Sequence, residues 1–154
     1  MTQKFDWMPR ASRLALALSL ITGVVVAQQK LSNHYVPADK LPWARESPAL
    51  PVELAPLWGT RTQGEAGTLL RTPAGFEAGS HSHTADYWAV VVQGTWKHWV
   101  PETGEGEGLE FTPGAHWTQV HTQLHRDACV SKTPCVIFLF NKDPYVTEFP
   151  KVAK

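Results

Sequence analysis

Most of the chain consists of short apolar runs separated by glycine, proline or polar clusters. Such runs occur at 52–58, 67–75, 87–94, 95–100, 109–112, 115–120 and 135–141. The longer apolar repeat of an amphipathic helix is almost absent between them. Short strands with turn residues between them are typical of a β-sandwich or a small barrel. The sequence therefore predicts an all-β domain.

Residues 1–27 have the pattern of a secretory signal peptide. Lys4, Arg10 and Arg13 form a basic head, and the apolar run behind them ends with Val25 and Ala27 near a cleavage position. The run is shorter than the about 20 apolar residues of a membrane-spanning helix. We expect cleavage and export to the periplasm or the medium, without membrane attachment; an uncleaved membrane anchor is the alternative.

The rest of the chain divides by its proline content. Residues 31–51 hold four of the 12 prolines, and proline interrupts both helices and central strands. We expect an extended N-terminal arm at 28–50 and one barrel domain at 51–154.

The charge balance excludes two classes of partner. Without residues 1–27 the chain carries 11 basic and 13 acidic side chains, all seven histidines and six of the seven tryptophans. No basic stripe remains for nucleic acid and no basic cluster for an anionic membrane. A nearly neutral domain rich in histidine and tryptophan indicates a pocket for a small molecule.

The two cysteines, Cys129 and Cys135, flank the polar turn sequence VSKTP. Export would place them where thiols are oxidised. We predict a local disulfide between them, with Cys129 as a thiolate ligand of a metal as the alternative.

The stretch PAGFEAGSHSHTADYW contains His81 and His83, one residue apart. On a strand such residues point to the same face, and two neutral imidazoles on one face form half of a metal chelate. The alternative is a polar strand face without a ligand.

The neighbouring apolar runs at 87–94 and 95–100 predict which side chains face the interior of the domain. Gln93 and Gly94 between them suit a tight hairpin turn. If Lys97 faces water, Trp96 and His98 share the opposite face of their strand. His98 is then either a catalytic residue or a core histidine.

Gly75, His81, His83 and Gly94 have the spacing of the first cupin motif, G-xxxxx-H-x-H-xxx-E-xxxxxx-G. The chain departs from the motif at one position, where Tyr87 replaces the glutamate. This stretch therefore resembles the cupin superfamily.

The second cupin motif is matched only in part. Gly114 and His125 have its spacing, whereas Val120, Thr122 and Cys129 stand where proline, glycine and asparagine are usual. Over residues 35–141 the chain is similar to an exported bacterial branch of cupin-like proteins. The resemblance implies a double-stranded jelly-roll barrel, often a homodimer, that holds one metal ion inside.

The resemblance also implies the metal ligands, which are His81, His83 and His125. His116 and His121 are rivals for the third position, but only His125 has the spacing of the motif. The expected ion is one divalent transition metal, with iron first and zinc, manganese, nickel or copper as alternatives.

Tyr87 makes the expected site similar to three-histidine cupins, some of which are iron dioxygenases. Its phenol would coordinate weakly, hydrogen-bond a bound ligand as an acid, or pack without a chemical role. We predict a catalytic part for Tyr87 and His98, whereas Asp86 should point to the other face of the strand.

Two functions from different classes fit these residues. The first is a metal-dependent oxygenase acting on a small substrate that chelates the metal. The second is a binding or sensing module without turnover. Trp96, Trp117 and His121 are expected to line the pocket in either case.

Overall fold

The structure is a computed structural model that describes residues 32–150. Within that range a short 3-10 turn, Ala38–Lys40, precedes ten strands. The strands are β1 (Ala44–Arg45), β2 (Glu53–Gly59), β3 (Ala66–Thr72), β4 (Glu77–His83), β5 (Tyr87–Gln93), β6 (Trp96–Trp99), β7 (His116–Gln119), β8 (His125–Cys129), β9 (Cys135–Asn141) and β10 (Thr147–Glu148).

The strands form two antiparallel sheets. The larger sheet has the order β1-β2-β3-β9-β5-β7, and the smaller has the order β10-β4-β8-β6. From β3 onward each successive strand belongs to the opposite sheet. This alternation is how a jelly roll closes two sheets around one interior, so the predicted all-β jelly-roll architecture is confirmed.

The core lies between the two sheets because their inner faces alternate with outer ones. On β9, Cys135, Ile137 and Leu139 are buried and the residues between them are only partly covered. On β5, Ala89 and Val91 are buried while their neighbours are exposed. A side-chain period of two is the pattern expected when one face of a sheet packs on a core.

Two local predictions were wrong. The 87–94 and 95–100 runs do not form a hairpin, because β5 pairs with β7 and β9 whereas β6 pairs with β8. Gly94 instead turns the chain from one sheet to the other with a φ of +84°. The run at 109–112 forms only an isolated bridge from Phe111 to Trp96.

The smaller sheet brings distant residues of the chain together. β8 lies between β4 and β6, with His125 opposite His81 and Asp127 opposite His98. The β4–β8 pairing shifts register between Ala78 and His81. The end of β4 and the start of β8 thus meet on the inner face of the barrel.

The predicted disulfide between Cys129 and Cys135 is present and joins the end of β8 to the start of β9. It therefore links the two sheets across the turn at Ser131. Both sulfurs are buried.

Part of the predicted arm belongs to the barrel. Ala44 and Arg45 pair with Leu54 and Glu53 as the edge strand β1. Just beyond β1, Glu46 pairs with the guanidinium of Arg61.

The predicted signal peptide at 1–27 lies outside the described residues. Within residues 32–150, no helix has the length and hydropathy to cross a membrane.

Candidate metal centre

Three buried histidines meet where β4 and β8 pair. His81 and His83 are on β4 and His125 is on β8. One ring nitrogen of each lies within 4.8 Å of those of the other two. The ring centroids are 4.4 Å apart for His81 and His125 and 5.0 Å apart for His83 and His125. This spacing lets the three rings share one ion.

Backbone carbonyls orient two of these rings. The Nδ1–H of His81 donates to the carbonyl oxygen of Gly79 at 2.8 Å, and the Nδ1–H of His125 donates to that of Gln123 at 3.0 Å. In each neutral ring the Nε2 lone pair is then left to bind a metal. Carbonyl acceptors of this kind commonly fix the tautomer of a metal-binding histidine.

His83 is held differently from the other two rings. Its imidazole stacks on the ring of Tyr145, with centroids 4.3 Å apart and an interplanar angle of 20°. Its Nδ1 is buried without a hydrogen-bond partner among the described residues. Such a nitrogen costs free energy unless something binds it.

Burial keeps two of the rings neutral. It lowers the pKa of His83 to about 2, aided by the neighbouring His81 and His125, and it lowers the pKa of His125 to about 4. Burial also lowers the pKa of His81, but the carboxylate of Asp127 outweighs it and the net pKa is raised. Neutral imidazole is the form that coordinates a metal.

Asp127 is a site residue that the sequence analysis missed. It follows His125 by two residues on β8 and is buried on the same inner face. Its Oδ1 accepts hydrogen bonds from Trp96 Nε1 at 2.9 Å and His98 Nδ1 at 2.8 Å. Although burial opposes ionisation, bonds from His81 and His98 hold its pKa far below the usual range. The H-x-D spacing after His125 was the available signal.

Tyr87 lies beside the histidine cluster on β5. Its hydroxyl is 3.4 Å from His125 Nε2 and accepts a bond of 3.4 Å from Trp117 Nε1. Burial, together with the charge of Asp127, raises the pKa of the Tyr87 phenol well above its ordinary value. The phenol therefore stays protonated and can donate a hydrogen bond.

The structure places His98 behind the cluster. Its Nδ1 donates to Asp127, its Nε2 faces Gln119 Oε1 at 2.9 Å, and its ring stacks on Trp117 at 5.0 Å. His98 is not among the described residues that line the cavity. His98 would thus act on the site through its bond to Asp127 and through the ring of His125, whose centroid is 4.9 Å away, and not by contacting a molecule in the cavity.

The prediction that His121 lines the pocket does not fit the structure. Its backbone N–H and its Nδ1 both bond Asp86 Oδ1 at 2.7 Å in an exposed turn. This pair holds the imidazole at the surface. His116 is also exposed, on β7, so the structure brings His125, and neither rival, to His81 and His83.

A cavity of about 110 Å³ opens next to the cluster. His81, His83, Tyr87 and Asp127 form its polar end, and Arg61 and Glu46 also line it. Its apolar lining includes the two predicted tryptophans and several core side chains: Trp96, Trp117, Leu70, Phe76, Ile137 and Leu139. A small, largely apolar pocket with a few convergent polar groups is typical of a small-molecule site.

The donor set fits a divalent transition metal. The three rings are buried, the carbonyl bonds leave Nε2 of His81 and His125 available, and His83 Nδ1 has no partner among the described residues. Imidazole nitrogens suit zinc, iron, copper and nickel. The site could therefore bind one such ion.

The two-sheet jelly roll and its inward histidine cluster define a cupin-type barrel. A family model described as the ChrR Cupin-like domain matches residues 31–143. The chain belongs to this family and to the cupin superfamily.

Solved structures share the fold. An RmlC-like cupin protein from Ralstonia eutropha JMP134 is 20% identical, covers 80% of this chain and 76% of its own, and has a TM-score of 0.61. A candidate acetylacetone dioxygenase from Methylibium petroleiphilum PM1 is 16% identical, with coverages of 82% and 88% and a TM-score of 0.58.

A third similar structure is Rhodobacter sphaeroides SigE in complex with the anti-sigma ChrR, which is 17% identical with a TM-score of 0.54. The alignment covers 69% of this chain and 51% of that one, so the chain spans about half of that protein's length. No curated protein matches the chain. At these identities the likeness extends to the fold alone.

Proposed function

We propose that this protein is an exported metal-dependent oxygenase, of the dioxygenase type, that acts on a small organic molecule. The substrate would chelate the metal through two oxygens. One observation carries the proposal: three buried histidines cluster together, and two of them, His81 and His83, line the polar end of a small cavity with apolar walls. Three protein ligands leave positions on the ion for other molecules.

His81, His83 and His125 would hold the ion, which would bind the substrate, polarise it and admit oxygen. We propose iron first, with zinc, manganese, nickel or copper as alternatives. In a dioxygenase reaction both oxygen atoms enter the product and the substrate supplies the electrons, so no separate reductant is needed.

The protein side chains would orient the substrate and exclude water. Trp96 and Trp117 line the cavity next to the cluster and would contact the apolar part of the substrate. The Tyr87 hydroxyl, protonated and 3.4 Å from His125 Nε2, would donate a hydrogen bond to a substrate oxygen held there. The candidate acetylacetone dioxygenase with a similar fold supports β-diketones as the first compounds to test.

The experiment starts from protein purified without a histidine tag. Its metal content is measured, the protein is reloaded with iron under nitrogen, and oxygen uptake is followed with β-diketones, α-keto acids and catechols. We expect about one ion per chain and uptake with at least one class. His83→Ala is the matched control, because it removes a ligand from the same strand. Equal uptake by this variant would contradict the proposal.

A binding or sensing module is the second candidate function. It is favoured by membership of the ChrR Cupin-like domain family and by the fold shared with a chain from the SigE–ChrR complex. Such a module would bind the metal or a ligand without turnover. Metal binding with no oxygen uptake under any metal would favour this candidate over the oxygenase.

Export is part of the proposal and is supported by the basic head and apolar run at 1–27. We expect the intact mass of the secreted protein to correspond to a chain starting near Gln28. A mature product that still starts at Met1 would contradict it.

A homodimer is also proposed. Trp88, Val90 and Val92 on the outer face of β5 are exposed, and apolar surface of this kind favours association. Light scattering should give twice the chain mass, and the mass of one chain would contradict the dimer.

A further inference from the structure

One carboxylate oxygen of Asp127 faces a ring nitrogen of each of two proposed metal ligands, His81 and His125. Its Oδ2 lies 3.4 Å from His81 Nε2 and 3.8 Å from His125 Nε2. Atoms bound to one ion at about 2.0–2.2 Å lie roughly 3.0–3.5 Å apart when they are adjacent ligands. The two distances from Oδ2 are therefore close to the spacing of ligands that share one ion, and His81 and His125 belong to one cluster.

All three atoms are electron-pair donors when the rings of His81 and His125 are neutral and carry their proton on Nδ1. Gly79 and Gln123 take the Nδ1–H of His81 and His125, so each Nε2 presents a lone pair. Asp127 Oδ2 adds the lone pairs of a buried carboxylate oxygen. The repulsion between these lone pairs is relieved either by a proton between His81 Nε2 and Asp127 Oδ2 or by a cation bound to all three atoms.

The other oxygen of Asp127 is already occupied. Trp96 Nε1 and His98 Nδ1 both donate to Oδ1, at 2.9 and 2.8 Å. His98 reaches it because the two residues are direct partners across β6 and β8. The carboxylate is thus held from one side, and Oδ2 is directed at the histidines.

We propose that Asp127 Oδ2 is a fourth protein ligand of the ion bound by His81, His83 and His125. Two paired strands would each supply two ligands, H-x-H from β4 and H-x-D from β8. The anion would neutralise one charge of a divalent ion, which the Tyr87 phenol does not. This inference rests on the metal binding proposed above and concerns the identity of the fourth ligand.

The first test compares three proteins loaded with cobalt(II) or zinc(II). Asp127→Asn keeps the size and two hydrogen-bond acceptor sites but removes the anion. His98→Gln removes a partner of Oδ1 and leaves the carboxylate in place. We expect Asp127→Asn to change the visible cobalt spectrum and to weaken zinc binding, measured against a chelator, by about 100-fold or more. His98→Gln should retain the wild-type spectrum and weaken binding by about tenfold, as loss of an outer-shell partner does.

The second test is a crystal structure of the zinc-loaded wild-type protein. Asp127 Oδ2 should lie about 2.0–2.2 Å from the zinc. A zinc held by the three histidines with Oδ2 outside this coordination distance would overturn the inference. Identical cobalt spectra for wild type and Asp127→Asn would also overturn it.

The two proposals fail in different ways. Wild-type protein that binds neither ion would overturn metal binding and this inference together. Wild-type protein that binds one ion, with Asp127→Asn indistinguishable from it, would overturn only the role of Asp127. Circular dichroism and thermal unfolding of the metal-free variants would establish that each is folded.

Discussion

At the scale of single residues, the site depends on which nitrogen of each histidine is free. The carbonyls of Gly79 and Gln123 fix the rings of His81 and His125, whereas His83 is fixed by stacking on Tyr145. His83 belongs to the same cluster, and its Nδ1 has no hydrogen-bond partner among the described residues. His81 and His125 thus share one kind of support, His83 has another, and each ring presents a nitrogen to the cluster.

We expect His81→Ala, His83→Ala and His125→Ala each to lose most of the bound metal. Each change removes one nitrogen from a small set, and the remaining rings cannot replace it. His121→Ala is the matched control, since that ring pairs with Asp86 at the surface. Metal analysis of the purified variants is the measurement. Full metal in His125→Ala with loss in His121→Ala would show that the wrong third ligand was chosen.

Tyr87→Phe should leave the metal content near one ion per chain and lower any turnover. The ring and its packing are kept, and only the hydroxyl that contacts His125 and Trp117 is lost. The loss of two long hydrogen bonds should cost about 1 kcal/mol of stability. Metal analysis, oxygen uptake and urea unfolding measure the three effects. Loss of the ion would instead make Tyr87 a ligand.

At the scale of strands, the chain order explains both the correct and the wrong local predictions. Apolar runs predicted β2, β3, β5, β6, β7 and β9, and the alternation of buried and less buried residues is clearest on β5, β6 and β9. β4 is polar at the site and was inferred only from His81 and His83, and no run in the sequence predicted β8. The prediction of a hairpin at Gly94 was wrong because the adjacent runs belong to opposite sheets. The residues of a turn favour a sharp change of direction but do not indicate which sheet the next strand joins.

The disulfide between β8 and β9 lends itself to a stability test. Replacing both Cys129 and Cys135 by serine should lower the free energy of unfolding by about 2 kcal/mol, since the closed loop is short. Urea unfolding of the variant and the oxidised wild type gives the difference. Thiol titration of denatured, unreduced wild type should find no free thiol, and two thiols would contradict the bond.

At the scale of the whole molecule, the barrel buries histidines whose pKa shifts have opposite effects on the stability of the fold as the pH falls. His83 and His125 have lowered pKa values, so the unfolded chain takes up their protons first and the fold loses stability below about pH 6.5. His81 has a raised pKa, so its contribution is complete below its unfolded value and is lost as the pH rises through its folded value.

We expect the metal-free protein to lose stability between about pH 7 and about pH 5. His83→Gln should lose about 2 kcal/mol less than wild type over this range, because the pKa of His83 falls from 6.5 to about 2 on folding. Urea unfolding at the two pH values measures this difference. An equal loss in both proteins would mean that His83 titrates normally in the fold.

The sequence by itself determined the all-β class and indicated the disulfide pair, and the resemblance to cupins singled out the three histidines. Short apolar runs, a local turn and motif spacing act over a few residues and can be read directly. Only the tertiary structure decided that Asp127 faces these histidines, that His121 is at the surface and that His98 lies behind Asp127. Those outcomes depend on which strands pair and in which register. Pairing is set by packing of the whole barrel, because residues distant in the chain must share one interior.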